Sequence, residues 1–395
     1  MPSSSTDSKG DPLRLVDLDH ALHDDERAIR ETVRTFGAKR LRPHIADWFE
    51  SGTVPARELA PELGDLGLLG MHLDGYGCAG TSTVAYGMAC HELEAVDSGL
   101  RSLVSVQGSL AMFAIHRYGS DEQRQQWLPA MAKGEAIGCF GLTESDAGSD
   151  PASMRTTARR DGSDWVLDGT KLWITNGTVA DVAIVWSRAD DGIRGFVVPT
   201  DAAGFSAREI GHKLSLRASV SAELVLDGVR LPADAALPDA QGLGAALGCL
   251  AEARLGIAFG ALGAASDSLE TALAYAEQRE VFGRPLAGYQ LTQAKLADMT
   301  AAVGAGMLLA VHLGRLHEAG RLRPEQVSLG KLHNVRTALD IARECRTILG
   351  ASGITTEYSP MRHANNLETV LTYEGTTEVH QLVVGQALTG HSAFR

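Results

Sequence analysis

The segment DWVLDGTKLWIT, residues 164–175, marks the point where the chain changes from helical to β-rich sequence. Its first half is rich in β-forming residues and ends in Asp168-Gly169, a dipeptide typical of two-residue hairpin turns. Residues 171–175 are again β-forming, so the segment predicts a β-hairpin. Because more β-rich runs follow with turn residues between them, an antiparallel sheet or barrel is expected here. These runs cover residues 181–188, 193–199 and 222–227.

Helical patterns lie on both sides of this β module. In residues 23–43, Ile29, Val33 and Phe36 share one helix face, with acidic residues early and basic residues late, which suits the helix dipole. Long segments rich in Ala and Leu follow the module and are typical of a bundle core. The sequence thus predicts an α+β chain of several domains. We expect a disordered tail at 1–19, an N-terminal helical domain at 20–135, a middle β domain at 136–243 and C-terminal helices at 244–395.

Composition narrows the function. The 395 residues carry a net charge of −13, which disfavours general nucleic-acid binding and requires local cations for any anionic ligand. Five scattered cysteines show no metal-binding spacing, so no metal is expected. The N-terminus has neither the apolar core of a signal peptide nor the arginines of a transit peptide. No segment of about 18 apolar residues stands out, and we expect a cytoplasmic protein without membrane insertion.

Two segments contain residues suited to catalysis or to anion binding. Glu374 lies between Tyr373 and Gly375 with apolar residues on both sides, so it is a candidate general base, although helix caps and solvated turns share this pattern. Residues 141–150 (GLTESDAGSD) combine glycines, hydroxyls and backbone N–H groups that suit a phosphate, but an ordinary turn has the same composition. Trp173 ends a predicted strand, where a tryptophan by itself usually belongs to the core.

Four segments together resemble the signatures of the acyl-CoA dehydrogenase family. They are LTE and GSD within residues 142–150, KLWITNG at 171–177, REVFG at 279–283 and YEGT at 373–376. Their order and spacing match, and the resemblance covers nearly the whole chain after the tail. It implies an N-terminal helical domain, a middle β-barrel, a C-terminal four-helix bundle, and a homotetramer that holds FAD.

The resemblance also assigns residues to FAD. Leu142 and Thr143 would face the flavin edge, Trp173 would cover the ring, and Thr175 would hydrogen-bond near its N5 atom. Gly148, Ser149 and Ile174 belong to the same segments, and Ser149 would also lie near CoA. Further expected FAD contacts are Thr376 and Glu378 after the base and, from a neighbouring subunit, Arg279, Phe282, Gln290, Leu349, Gly350 and Ala351. The family often has GGNG where this chain has GASG at 350–353, so side-chain contacts there are expected to differ.

Arg101, near the start of a predicted apolar helix, limits the range of possible substrates. Arg101 and Ser102 follow DSGL at residues 97–100, and an arginine beside a hydroxyl at a helix N-terminus suits a carboxylate. Glu94 would steady the arginine. From the residues alone, Arg101 could equally form an ion pair at the protein surface.

This region also resembles the branch of the family that oxidises and decarboxylates glutaryl-CoA. That resemblance implies that Glu94, Arg101 and Ser102 bind the distal carboxylate, that Arg254, Tyr373 and Gly375 contact the thioester substrate, and that Glu374 removes the α-proton. Crotonyl-CoA and CO2 would be the products, and an electron-transfer flavoprotein the acceptor.

Three other functions stay open at this point. One is a dehydrogenase for a short or branched monocarboxylic acyl-CoA. Another is an oxidase that passes electrons to O2. The third is a scaffold that binds flavin or CoA without turnover.

Overall fold

The computed structural model describes residues 11–394, and its first part is helical. Two stretches of π-helix interrupt this part, Gly37–Leu41 after the first α-helix and Val106–Met112 between the fifth and the sixth. The seven α-helices of this part are α1 (Asp24–Phe36), α2 (Ile45–Ser51), α3 (Ala56–Asp65), α4 (Thr83–Glu94), α5 (Ser98–Ser105), α6 (Phe113–Tyr118) and α7 (Asp121–Ala132). Every residue of α4 and α5 is buried, so these two helices form the centre of the helical layer.

The prediction of a disordered tail through residue 19 is wrong for the described part of that tail. Pro12–Val16 and Leu18–Ala21 form two short 3-10 helices. Leu13 and Leu18 are buried in the same core as helices of the C-terminal part. Two apolar anchors supply enough burial to order a short polar segment. The remaining tail residues, 1–10, lie outside the described residues.

The middle part is a mostly antiparallel sheet of eight strands, ordered β6-β7-β3-β2-β4-β5-β8, with β1 parallel to β4. β2 meets β4 through one residue pair, Thr157 and Arg188, so two sections of sheet join there. The strands are β1 (Gly138–Gly141), β2 (Thr157–Asp161), β3 (Asp164–Thr175), β4 (Val182–Ala189), β5 (Gly192–Pro199), β6 (Phe205–Glu209), β7 (Ser221–Leu231) and β8 (Ala236–Gln241).

The predicted hairpin within residues 164–175 is wrong. The segment is the single strand β3, twelve residues long, and it pairs with β7 along most of its length. Gly169 lies at a register shift in this pairing, with a φ of 149°, and a Cβ atom there would fall 2.5 Å from Thr156 Oγ1. Asp168-Gly169 therefore forms an irregularity inside a long strand, because pairing with a distant strand outweighs the local turn preference.

The C-terminal part is helical, as expected. A two-stranded ribbon, β9 (Glu280–Val281) and β10 (Arg284–Pro285), connects its first two long helices. The helices are α8 (Leu243–Gln278), α9 (Gln290–Glu318), α10 (Pro324–Ile348), α11 (Ser359–Thr372) and α12 (Thr377–Thr389). The order of a helical, a β and a second helical part confirms the predicted α+β fold class.

Two of these helices are more apolar than the sequence analysis expected. α8 and α9 are long and apolar enough to cross a membrane, with mean hydropathies of 1.5 and 1.6 over their most apolar windows. However, 72% of the α8 window and 44% of the α9 window are buried inside the protein. The core helices of a bundle have this same composition, since they are apolar on most faces.

Candidate active site

Glu374 lies in the short connection between α11 and α12, on a backbone of unusual conformation. Its φ is 51° and that of Gly375 is 100°, so two successive residues occupy the left-handed half of φ space. Thr376 then caps α12 by accepting a hydrogen bond from Val379 N at 3.3 Å. A non-glycine residue at positive φ is uncommon and occurs often at functional sites.

The carboxylate of Glu374 points into the protein. Its Oε2 atom is shielded from solvent and has no hydrogen-bond partner among the described residues. Burial raises the pKa of the Glu374 carboxyl above its usual value, although the cations Arg101, Lys331 and Arg254 act in the opposite direction. A buried acid with a raised pKa suits proton abstraction near neutral pH.

A buried lysine and a partly buried arginine bind the backbone around Glu374. Lys331 on α10 donates from Nζ to the carbonyl oxygens of Tyr373 and of Gly375, the latter at 2.7 Å. Arg254 on α8 donates from Nε to the carbonyl oxygen of Glu374 itself, at 2.7 Å. The three consecutive carbonyl groups of residues 373–375 thus accept hydrogen bonds from positively charged side chains. Sequence reasoning missed Lys331, because a lone lysine in a helix usually faces solvent.

Arg101 is fully buried beside this loop. Its Nε donates to Glu94 Oε2 at 2.6 Å, and Ser98 Oγ donates to the other Glu94 oxygen at 2.8 Å. Its Nη2 donates to the hydroxyl of Tyr373, the residue before Glu374. Ser102 is also buried, at 1% exposure. The surface ion pair that remained open from the sequence is therefore excluded, and the predicted pairing of Arg101 with Glu94 is present.

The Glu94–Arg101 pair fits because α8 approaches it through a glycine. A Cβ atom at Gly260 would lie 2.3 Å from Glu94 Oε2 and 3.2 Å from Arg101 Nε. At 2.3 Å the Glu94 oxygen would have to move to admit a Cβ atom, and 3.2 Å is a tight contact. The absence of a side chain at Gly260 is thus what provides room for two buried charged groups next to a packed helix.

Asp97 connects segments that are far apart in the sequence. As the N-cap of α5 it accepts from Gly99 N at 2.8 Å, and it also accepts from Arg362 Nε at 3.2 Å and Asn366 Nδ2 at 2.8 Å on α11. Asn366 in turn accepts from Leu216 N at 2.9 Å. This junction ties the helix that carries Arg101 to the helix that precedes Glu374.

The predicted flavin segments meet on the sheet. Leu172 N on β3 donates to Thr143 O at 2.8 Å, which fixes the 142–144 segment beside Trp173. Lys171 reinforces the contact, since its Nζ donates to Leu142 O at 3.1 Å and to Glu144 Oε1 at 2.7 Å. Burial alone would raise the pKa of the Glu144 carboxyl, but hydrogen bonds from the backbone N–H of Arg155, from Lys171 and from Thr156 hold it down at about 2.

Trp173 is not a core residue. It is 58% exposed and its φ is 63°. Of its two neighbours in the chain, Leu172 is partly buried and Ile174 is buried. A large exposed aromatic ring on the strand that also carries Thr175 suits a flat ring system.

The other residues predicted to contact the cofactor differ in how far they are exposed to solvent. Leu142, Ile174 and Leu349 have buried side chains, so only their backbones are available. Phe282, at 95% exposure and a φ of 50°, is the most exposed large apolar residue in the described chain. The exposed predicted residues besides Trp173 and Phe282 are Gly148, Ser149, Arg279, Gln290, Gly350, Ala351 and Glu378, while Thr143, Thr175 and Thr376 are partly buried.

Comparison with known proteins identifies the family. Residues 23–135 match the N-terminal domain of acyl-CoA dehydrogenases, residues 139–229 the middle domain and residues 240–389 the C-terminal domain. The chain belongs to the acyl-CoA dehydrogenase family. This confirms the family resemblance drawn from the four sequence segments.

Relatives within the acyl-CoA dehydrogenase family differ in how similar they are to the chain. A glutaryl-CoA dehydrogenase from Mycobacterium smegmatis, solved in complex with FADH2, is 68% identical with a TM-score of 0.96, covering 97% of this chain and 99% of that one. The mitochondrial short-chain specific acyl-CoA dehydrogenase of Bos taurus is 36% identical, covering 92% of this chain and 90% of its own. The butyryl-CoA dehydrogenase of Megasphaera elsdenii is 31% identical with a TM-score of 0.90, covering 93% and 98%.

Proposed function

We propose that this protein is an FAD-dependent dehydrogenase that converts glutaryl-CoA to crotonyl-CoA and CO2. The observation that carries the proposal is the buried Arg101, paired with Glu94 and bonded to Tyr373 directly before the candidate base Glu374. The guanidinium keeps N–H donors beyond those used by Glu94 and Tyr373, and a second carboxylate on the substrate can accept them, whereas an apolar acyl chain cannot. The 68% identity to a glutaryl-CoA dehydrogenase supports the same substrate.

The chain's residues fit FAD. Trp173 presents an open aromatic face, and the partly buried Thr143 and Thr175 lie on the two segments that β3 holds together. We propose that these residues contact the flavin and that Arg279, Phe282 and Gln290 contact its remote end. When bound, FAD supplies the hydride acceptor for oxidation at the β-carbon of the substrate.

Glu374 carries the proton chemistry. With its pKa raised by burial, the carboxylate takes the α-proton of the thioester while a hydride leaves the β-carbon, which gives glutaconyl-CoA in the site. Loss of CO2 from the γ-carbon then leaves a dienolate whose charge extends to the thioester oxygen. Protonation of the γ-carbon by the Glu374 acid yields crotonyl-CoA and restores the carboxylate.

Arg101 positions the distal carboxylate during these steps. A guanidinium has five N–H donors, of which Nε bonds Glu94 and one on Nη2 bonds Tyr373, so donors remain for a ligand. When the carboxylate leaves as neutral CO2, Glu94 still pairs with Arg101. The buried cation is therefore never left without an anion, a situation that would cost several kcal/mol.

The electron acceptor and the assembly are part of the same proposal. We propose an electron-transfer flavoprotein as acceptor and a homotetramer as the functional unit. Exposed apolar side chains on the C-terminal helices and their connections support an interface between copies, since such residues are rarely left in water together. They include Phe282, Leu291, Ile354 and Leu388.

Anaerobic mixing tests the reaction. The flavin absorbance of the holoenzyme is expected to bleach rapidly with glutaryl-CoA and slowly with butyryl-CoA, and one CO2 is released per glutaryl-CoA consumed. Faster bleaching by butyryl-CoA, with no CO2 from glutaryl-CoA, would support a short-chain monocarboxylic substrate instead, as the name of the bovine relative suggests. Peroxide formation without an added acceptor would indicate an oxidase.

Substitution of Gly260 tests the proposed binding site for the distal carboxylate without changing Glu94 or Arg101 themselves. In G260A the new methyl group must displace Glu94 from its ion pair, since only 2.3 Å separates the two positions. We expect kcat/KM for glutaryl-CoA to fall about 100-fold and that for butyryl-CoA to change by less than about 3-fold, because only the distal end of the site moves.

The matched control is G244A on the same helix. No atom lies within 4 Å of a Cβ built at Gly244, so the substitution is expected to leave both substrates unaffected. Equal losses for the two acyl-CoA substrates in G260A would argue that the Glu94–Arg101 pair does not select the acyl chain.

A further inference from the structure

Of the three cations near Glu374, Lys331 has no part in the reaction proposed above. Arg101 is assigned to the distal carboxylate and Arg254 to CoA. Lys331 lies on α10, more than forty residues before the loop it contacts, and is 1% exposed. An ammonium group has three N–H donors, and Lys331 uses two of them for hydrogen bonds to the carbonyl oxygens of Tyr373 and Gly375, on either side of Glu374.

We propose that Lys331 is a positioning residue for the base: it holds the backbone on both sides of Glu374 in the left-handed conformation that aims the carboxylate, and its charge favours the ionised form. The inference rests on the proposed function, because it takes Glu374 to be the base. It adds a residue that acts through Glu374 and does not itself touch the substrate.

The conformation of the loop requires such support. A non-glycine residue with a φ of 51° persists only where its surroundings hold it there. Residues 373–375 lie outside any helix or strand, and among the described residues only the backbone N–H of Tyr373 in this loop makes a helical bond, to Thr369 O at 2.9 Å. On the α12 side, His380 closes the space, since a Cβ atom at Gly375 would fall 2.7 Å from its Nε2. Lys331 and Arg254 supply the remaining fixed points.

A purely structural role is the alternative to be excluded, and the same helix provides an example of one. Asn334 is buried three residues further along α10, and its Nδ2 donates to Ala258 O at 2.8 Å and Gly306 O at 3.1 Å. Asn334 thus ties α10 to α8 and α9 through two carbonyl groups. Lys331 differs from it by carrying a charge and by contacting the loop of the base.

The charged groups around Lys331 and Glu374 determine in which direction the pKa of Glu374 changes when Lys331 is replaced. Burial lowers the pKa of the Lys331 ammonium to about 7, with Glu374 acting against this shift and Arg254 and Arg101 adding to it. In turn, a cation at 331 lowers the pKa of Glu374. The titratable and charged groups that face the pair are Glu94 on α4, Arg101 on α5, Arg254 on α8, Tyr373 in the loop and His380 on α12.

Because a base must be ionised, the rate rises with pH through the pKa of Glu374. Loss of the cation at 331 raises that pKa, so the rising limb moves to higher pH. We expect K331M to shift the midpoint of this limb, in the anaerobic reduction of the flavin by glutaryl-CoA, upward by about one pH unit. Its maximal rate is expected to fall about 100-fold through misplacement of the base, with a much smaller change in KM.

The control is N334A, which removes a buried two-carbonyl contact from the same helix. It is expected to lower the thermal midpoint and to leave the pH midpoint as in the wild type. Amide hydrogen exchange at residues 373–376, measured by mass spectrometry, is expected to accelerate in K331M and not in N334A. If K331M does not accumulate as folded holoenzyme, K331Q retains an N–H donor group without the charge and is expected to show the same pH shift.

The outcomes separate the two proposals. If E374Q abolishes flavin reduction while K331M keeps the wild-type pH midpoint and exchange rates, the role of Lys331 is refuted and the assignment of the base stands. If E374Q retains activity, the proposed function itself fails. An upward pH shift together with faster exchange in the loop, absent from N334A, establishes the positioning role.

Discussion

Replacing Glu374 with glutamine is expected to slow the reduction of the flavin by glutaryl-CoA by about 10⁴-fold. The substitution preserves the size of the side chain but removes the carboxylate that is proposed to accept the α-proton. Positioned general bases contribute about 10²–10⁴-fold, and without the base the first step has no route for the proton. The measurement is anaerobic stopped-flow absorbance of the flavin.

E368Q is the matched control for this substitution. Glu368 lies on α11, six residues before Glu374, and forms an exposed ion pair with Arg343. The same change of chemistry there is expected to leave the rate within about 2-fold, since exposed ion pairs contribute little. Glutaryl-CoA is still expected to bind to E374Q, as seen in a shift of the flavin spectrum. A reduction rate near that of the wild type would remove Glu374 from the mechanism.

The second large effect is expected at Arg101. In R101M, kcat/KM for glutaryl-CoA is expected to fall about 10³-fold, because charge-assisted hydrogen bonds to the distal carboxylate are lost. Oxidation of butyryl-CoA, which has no such carboxylate, is expected to persist. The measurement is steady-state kinetics with both substrates and an artificial electron acceptor.

The single variant has a structural side effect that needs its own control. Without Arg101, Glu94 is left buried without its ion-pair partner, which is expected to destabilise the protein by about 3–5 kcal/mol. The double variant E94Q/R101M removes both charges. We expect it to recover stability and butyryl-CoA oxidation while remaining inactive on glutaryl-CoA. If the double variant turned over glutaryl-CoA normally, the carboxylate would have to bind elsewhere.

Local patterns predicted the parts of this protein whose structure depends on local interactions. The apolar runs that became α8, α9 and α10 and the β-rich runs that became β4, β5 and β7 are visible within windows of a few turns. The prediction of a hairpin at residues 164–175 was wrong because the structure there depends on a long-range contact. Asp168-Gly169 favours a turn, but β7, more than fifty residues later, pairs with both halves of β3 and keeps the strand continuous.

The candidate site was predicted to a similar extent. Glu374, Arg101 and Glu94 were recognised from segments whose spacing is characteristic, and the structure places them together. Lys331 and Gly260 were not recognised, because neither has a local signature: one is a lysine and the other a glycine in a helical sequence. Their significance depends on which atoms of another helix lie within about 3 Å.

By itself, the sequence determined the α+β class, the family and the types of residue available for chemistry, because these follow from short-range periodicity and from motifs read in order. Only the tertiary structure decided that Arg101 bonds Tyr373 across 272 positions of the chain. It also decided that Lys331 and Arg254 clamp the backbone of the base and that α8 leaves room for a buried ion pair at Gly260. These contacts arise from the packing of α4, α5, α8, α10 and the loop before α12, and close packing is a property of the whole fold that no local pattern encodes.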